Sequence, residues 1–267
     1  MLFSWLQRRR RAKLLAKPFP SEWLSYLRKN VAHYPHLSEG EQVRLRDDLR
    51  IFISEKHWEG CGGLKITEEI KVTIAAQACL LVLGMRHNYF DRVSSILVYP
   101  RGYRVSADDI LRDDPINEER SARLGEAHYR GPVVLSWAEV LSEGRAPAAG
   151  HNLVIHEFAH QLDFLDGIVN GTPPLKDEAQ SRRWHDVMTA EYQRLIRESA
   201  SGQATVLDQY GTTNEAEFFA VATECFFDQP VALKHRHPEL YELLREYYQQ
   251  DPAARCASKR GSPTQEG

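Results

Sequence analysis

The stretch Asn152-Leu-Val-Ile-His156-Glu157-Phe158-Ala159-His160-Gln-Leu162-Asp163-Phe-Leu165 decides how this chain is read. Ile155, Phe158, Ala159 and Leu162 recur at i, i+3, i+4 and i+7, the apolar stripe of a helix packed on a core. His156 and His160 are four apart, so they sit one above the other on the flank of that stripe, where the floor of a cleft would lie. Two imidazoles so placed can share one zinc ion at ~2.0–2.1 Å each. Glu157 lies ~100° round the helix from His156, where it can reach a metal-bound water without ligating the metal. Zinc brings the pKa of such a water toward neutrality, and a glutamate can take its proton as it attacks a carbonyl. The pattern HExxH therefore predicts a zinc peptidase helix with Glu157 as general base.

A catalytic zinc site needs a third protein ligand and an open position. A continuation HExxHxxGxxH is absent: Asp163 stands where the turn glycine belongs and Asp166 where the last ligand belongs. Asp163 shares the histidine face, but its Cα falls ~10 Å from that of His156, which suits a group orienting an imidazole better than a ligand. A third candidate lies downstream in Asn214-Glu-Ala-Glu217-Phe-Phe-Ala-Val-Ala-Thr-Glu224-Cys-Phe-Phe227. This predicted helix is apolar round most of its circumference and so buried. Glu217 and Glu224 lie seven apart on one face of it. A buried carboxylate is costly unless paired or bound to metal; one of the two could ligate while the other hydrogen-bonds a neighbour.

Working outward, 267 residues can bury a substantial core. The 42% hydrophobic and 27% charged content exclude wholesale disorder and a membrane bundle. A net charge of −3 gives no footprint for direct nucleic-acid binding. No stretch approaches the ~20 apolar residues of a transmembrane segment. Cys61, Cys79, Cys225 and Cys256 form no CxxC pair and read as reduced thiols, which implies a cytoplasmic location. Arg8–Arg11 follow the short apolar run Met1–Leu6, the wrong order for a signal peptide. Residues 1–17 read as a basic N-terminal arm, either touching an acidic partner or anionic lipid or, the simpler expectation, a frayed solvated end.

Predicted helices cover Pro18–Lys29, a segment from the capping box Ser38–Glu41 to about Lys56, and Ile66–Leu83. Ser95–Tyr99 and Val133–Trp137 read as strands, with Gly125–Arg130 as a further, more polar edge strand beside the acidic excursion Ala107–Arg123. After Gly150 helices are expected at Asn152–Leu165, Asp177–Ser199, Asn214–Phe227 and Pro238–Gln249, followed by a flexible tail over 251–267. Helices, a few strands and then helices indicate an α+β fold with a small mixed sheet, in one domain over 18–250 whose N-terminal helical part spans about 18–90. His151, ~140° off the metal face, reads as a helix-start residue, and His235 and His237 as solvated. Trp184, Tyr192, Tyr241, Tyr247 and Tyr248 read as packing residues.

HEFAH, the run Tyr210-Gly-Thr-Thr-Asn-Glu-Ala-Glu217, FFAVATECFF, the strand GPVVLSW and the C-terminal REYYQQDP together resemble the Mlc titration factor A (MtfA) family of bacterial metallopeptidases. The site also resembles that of the anthrax lethal factor catalytic domain; in both, a tyrosine stands seven residues before the glutamate ligand. The resemblance implies a zincin-like domain with one zinc per chain, held by His156, His160 and Glu217. It makes Glu157 the base and Tyr210 a phenol donor to the oxyanion of the tetrahedral intermediate. It further implies an aminopeptidase-like activity on peptide or protein substrates. Binding of an Mlc-like transcriptional repressor is implied too, and a protein that sequesters such a regulator, with hydrolysis secondary, is the alternative function.

Overall fold

A computed structural model describes residues 2–101, 131–147 and 150–258. Numbered among these residues, the helices are α1 (Leu2–Leu15), α2 (Ser21–Asn30), α3 (Glu39–Glu55), α4 (Glu68–Val82), α5 (Trp137–Arg145), α6 (Leu153–Asp163), α7 (Glu178–Ala200), α8 (Glu215–Asp228), α9 (Pro230–Arg236), α10 (Pro238–Tyr248) and α11 (Pro252–Ser258). The strands are β1 (His57–Gly60), β2 (Ser95–Tyr99) and β3 (Val133–Ser136). Helix starts follow local chemistry. Ser38 and Glu41 exchange side-chain and backbone bonds in the capping box that opens α3, and the Thr67 hydroxyl caps α4.

The sheet runs β1-β2-β3 with both pairings parallel, Trp58 opposite Ile96 and Leu97 opposite Val134. Parallel neighbours need a crossover, and α4 supplies it between β1 and β2. The sequence predicts a mixed sheet; the described strands are all parallel, and Gly125–Arg130, the proposed edge strand, lies outside the described residues, as does the 107–123 excursion. Ile96, Val98, Val133 and Leu135 are buried, and α4 is buried at Ile70 and from Val72 to Val82, which makes it the central core helix. Gly84, just past it, sits so close to the end of α10 that a Cβ would lie 2.4 Å from the Gln249 carbonyl oxygen. Only glycine allows that approach.

Both chain ends differ from expectation. The basic arm is helical, and Arg50 of α3 donates to the carbonyls of Leu14, Leu15 and Lys17 at its C-terminal end. Arg11 adds a bidentate pair to Glu55, both bonds at 2.7 Å. Of the tail expected to be flexible over 251–267, Pro252–Ser258 form α11, and residues 259–267 lie outside the described residues. Tyr241 Oη donates to Asp251 at 2.6 Å and accepts the Ala253 N–H at 3.0 Å. Gln250 donates to the Leu80 and Leu81 carbonyls at 2.9 and 3.1 Å. These partners are distant in sequence, so no local pattern announces them. Trp184, Tyr241, Tyr247 and Tyr248 are buried, as the helical spacing indicates. His237, expected in solvent, is buried and lies 2.6 Å from Glu191.

Candidate metal centre

The floor of the site is α6. Asn152 caps it by accepting the Ile155 N–H at 3.1 Å, and Val154, Ile155, Phe158, Ala159 and Leu162 bury its inner face. That burial turns His156 and His160 to the flank, with ring centroids 4.8 Å apart and planes at 80°. Helix α8 packs against α6 and is buried from Ala216 to Phe227. Its cap residue Asn214 accepts the Glu217 N–H at 2.9 Å, which sets the first turn and aims Glu217 at the two imidazoles.

The two Nε2 atoms are 3.2 Å apart, and Glu217 Oε2 lies 3.0 Å from that of His156 and 3.4 Å from that of His160. Tetrahedral zinc with bonds of ~2.0–2.1 Å separates its ligand atoms by about 3.3 Å. The triangle therefore fits the ion on size as well as on donor type. Among the described residues, His156, His160 and Glu217 are the group of three such side chains close enough to hold a metal. Burial alone would raise the Glu217 carboxyl, but hydrogen bonds from His156 and His160 hold it well below the usual carboxylate range. Burial would likewise lower His156; the bonds to Glu217 and Glu224 reverse this and raise it well above its ordinary value.

Glu224 has a different task. Its Oε1 lies 2.7 Å from His156 Nδ1, and its Oε2 accepts the Asn152 N–H at 2.6 Å. A carboxylate there keeps the imidazole proton on Nδ1 and presents the Nε2 lone pair to a metal. At His156 the imidazole-orienting role read for Asp163 falls to Glu224. Asp163 Oδ2 accepts the Gly171 N–H at 2.8 Å instead, bracing the loop after α6, and burial pushes its carboxyl up to about 6. Gly171 has φ +74°, and a Cβ there would sit 2.3 Å from the Glu215 carbonyl oxygen. This loop therefore packs backbone to backbone against the start of α8.

Glu157 is partly exposed beside the histidines. Tyr210 sits in the 3-10 turn Gln209–Thr212; its ring is 45% exposed and centred 6.1 Å from that of His156. Asp208 caps the turn by accepting the Tyr210 N–H at 2.6 Å, and His151 Nε2 lies 3.2 Å from its other oxygen. His151, read as a helix-start residue, thus ties the Tyr210 turn to the start of α6. Glu143 of α5, which the sequence did not single out, accepts the Leu153 N–H at 2.7 Å. An acidic residue has no local signature for that task.

Comparison with known proteins gives the family. The profile of the glucose-regulated metallo-peptidase M90 family matches residues 4–249. An uncharacterized protein, slr2042, from a Synechocystis strain is 37% identical over 253 residues, covering 94% of this chain and 92% of its own. Mlc titration factor A of Klebsiella pneumoniae (strain ATCC 700721) is 34% identical over 82% of this chain and 83% of its own, and that of Yersinia pestis (strain Pestoides F) 31% over 94% and 90%. By the extent of these matches, the chain belongs to the glucose-regulated metallo-peptidase M90 family, together with the Mlc titration factor A proteins.

Proposed function

We propose that this metallopeptidase uses one zinc ion per chain, held by His156, His160 and Glu217 in a zincin-like domain over residues 18–250, with Glu157 as general base. The observation that carries the reading is the triangle of 3.0–3.4 Å formed by the three donor atoms on the face of an HExxH helix. Bound there, zinc would acidify a coordinated water and polarise the scissile carbonyl. The chain's own residues supply the rest. Glu157 accepts the proton of the attacking water and passes it to the leaving amine. Tyr210, whose ring lies 6.1 Å from that of His156, donates its phenol proton in a hydrogen bond to the oxygen that becomes negative. Glu224 keeps His156 in the ligating tautomer through the cycle.

The substrates are peptides or proteins, and the family resemblance favours an aminopeptidase-like preference. The four cysteines, none in a disulfide, suit a reducing cytoplasm. A second reading rests on the relatives' name: an Mlc-like repressor would be a partner of this chain, sequestered by it. Titrating the zinc-loaded wild type and Glu157→Gln against a peptide library tests the enzyme reading. Glu157→Gln should keep its zinc and lose nearly all turnover. Equal hydrolysis by both proteins would remove Glu157 from the mechanism and leave repressor binding as the better reading.

A further inference from the structure

Helix α1 has two parts. From Arg11 onward it is held to the body by Glu55 and by the Arg50 guanidinium. Residues 5–10 are all exposed, although the Gln7 side chain also hydrogen-bonds Glu55. Trp5 and Leu6, ahead of that contact, are each 54% exposed. Behind them come Arg8, Arg9 and Arg10, spaced ~100° apart round the helix, with Arg11 turned inward to the body. With Arg11 turned to the body, Arg9 and Arg10 therefore point outward and Arg8, ~60° from Arg11, lies on the flank, about one turn behind the apolar pair. The Arg9 guanidinium lies 5.4 Å over the Trp5 ring, joining the two groups.

We propose that the projecting end of α1 is a reversible attachment to an anionic lipid surface. Trp5 and Leu6 would enter the boundary between headgroups and acyl chains, and Arg8, Arg9 and Arg10 would meet the lipid phosphates. From Trp5 to Arg10 the helix rises ~7.5 Å, which sets the body back from a surface met by Trp5 and Leu6. Charge decides the partner. The whole chain carries −3, and without Arg8–Arg11 and Lys13 the remainder carries −8. Such a body would be repelled along the length of a nucleic acid. A membrane touched only by the tip leaves the body about one Debye length away, ~8 Å at physiological salt. An exposed tryptophan beside the arginines also suits a bilayer interface, where its ring can be buried and its N–H kept at the headgroups. No helix among the described residues is long and apolar enough to cross a membrane.

The test is vesicle flotation of the full zinc-loaded chain with phosphatidylcholine vesicles, with and without phosphatidylglycerol. The wild type should float with the anionic vesicles alone and be released by high salt. Each arginine near the surface contributes about fivefold, so replacing Arg8, Arg9 and Arg10 together by Gln should weaken binding roughly a hundredfold. Trp5→Ala should weaken it as well and abolish the vesicle-induced blue shift in tryptophan emission. Circular dichroism of both variants should match the wild type, since these side chains touch nothing in the core. A wild type that stays in solution with anionic vesicles overturns the proposal. So does a triple variant that floats undiminished, or a chain that ignores vesicles but binds RNA or an acidic peptide through the same arginines.

Discussion

Replacing Glu224 separates what this residue does for the metal from what it does for the fold. It makes two short bonds, one to His156 Nδ1 and one from the Asn152 N–H. Glu224→Ala leaves the buried Asn152 N–H without an acceptor, which costs about 1–3 kcal/mol. That loss should appear in thermal or urea unfolding of the metal-free protein. The same substitution frees the His156 ring to turn and to carry its proton on either nitrogen. Loss of such an orienting partner typically lowers metal affinity by 10–100-fold. Glu224→Gln keeps one acceptor oxygen, so it can satisfy one of the two donors, and both effects should be intermediate. Glu217→Ala removes a donor atom outright and should lower affinity further than either. The assay is competition for zinc against a chromophoric chelator, paired with unfolding of each metal-free variant. Unchanged zinc affinity in Glu224→Ala would refute the orienting role. A larger loss from Glu224→Ala than from Glu217→Ala would exchange the two assignments.

Tyr210→Phe should retain its zinc and lower kcat by ~10²–10³, the usual effect of losing one oxyanion donor; an undiminished kcat would make the exposed ring a surface residue only. Gly171→Ala should destabilise the protein by at least ~1–2 kcal/mol from its left-handed backbone, and the clash with the Glu215 carbonyl should weaken zinc binding as α8 shifts. Unfolding and zinc competition check both, and an Ala variant with wild-type values in each would show that the loop does not press on α8. Burial pushes Asp228 up to about 6 although His33 lies 2.8 Å away. Its folded pKa thus exceeds the unfolded value of ~3.9, so its contribution is greatest below ~3.9 and is lost as pH rises through 6. The stability of the wild type relative to Asp228→Asn should therefore grow by about 3 kcal/mol between pH 8 and pH 4, two pKa units at ~1.4 kcal/mol each. A difference that stays flat across that range would mean the carboxylate is solvated.

How far the sequence could be read depended on how local each signal is. The capping box at Ser38 and the apolar stripe of α6 lie within a few residues of one another, and the helices they announce form within two residues of the expected ends. The 3.6-residue period also placed both histidines on one face, and the fully apolar surroundings of Glu217 and Glu224 marked them as buried. It could not divide the labour between those two, because that depends on how far α8 slides along α6. Asp163 is the counterpart: its face was readable, but its partner Gly171 lies on a loop that folds back by a route no period records. β1, only four residues long and half-buried, carries too little alternation to be seen ahead of its pairing with β2. α11 and the docking of α1 rest on Tyr241, Arg50 and Glu55, all remote in sequence.

One imidazole is gripped at both nitrogens by a single helix: His156 Nε2 faces Glu217 and Nδ1 faces Glu224, seven residues further along α8. The helix works as a ruler with two marks. Adding or deleting one residue between the marks turns one carboxylate ~100° away from the ring, so the spacing of seven allows no indel. The chain between Gly171 and Asp208 is under no such restriction, because Asn152 and Asn214 set each helix start independently of its length. Relatives should therefore vary in length between residues 172 and 207 and keep the interval from 217 to 224 fixed. A designer grafting this centre onto another scaffold would need only two short helices, docked in one register.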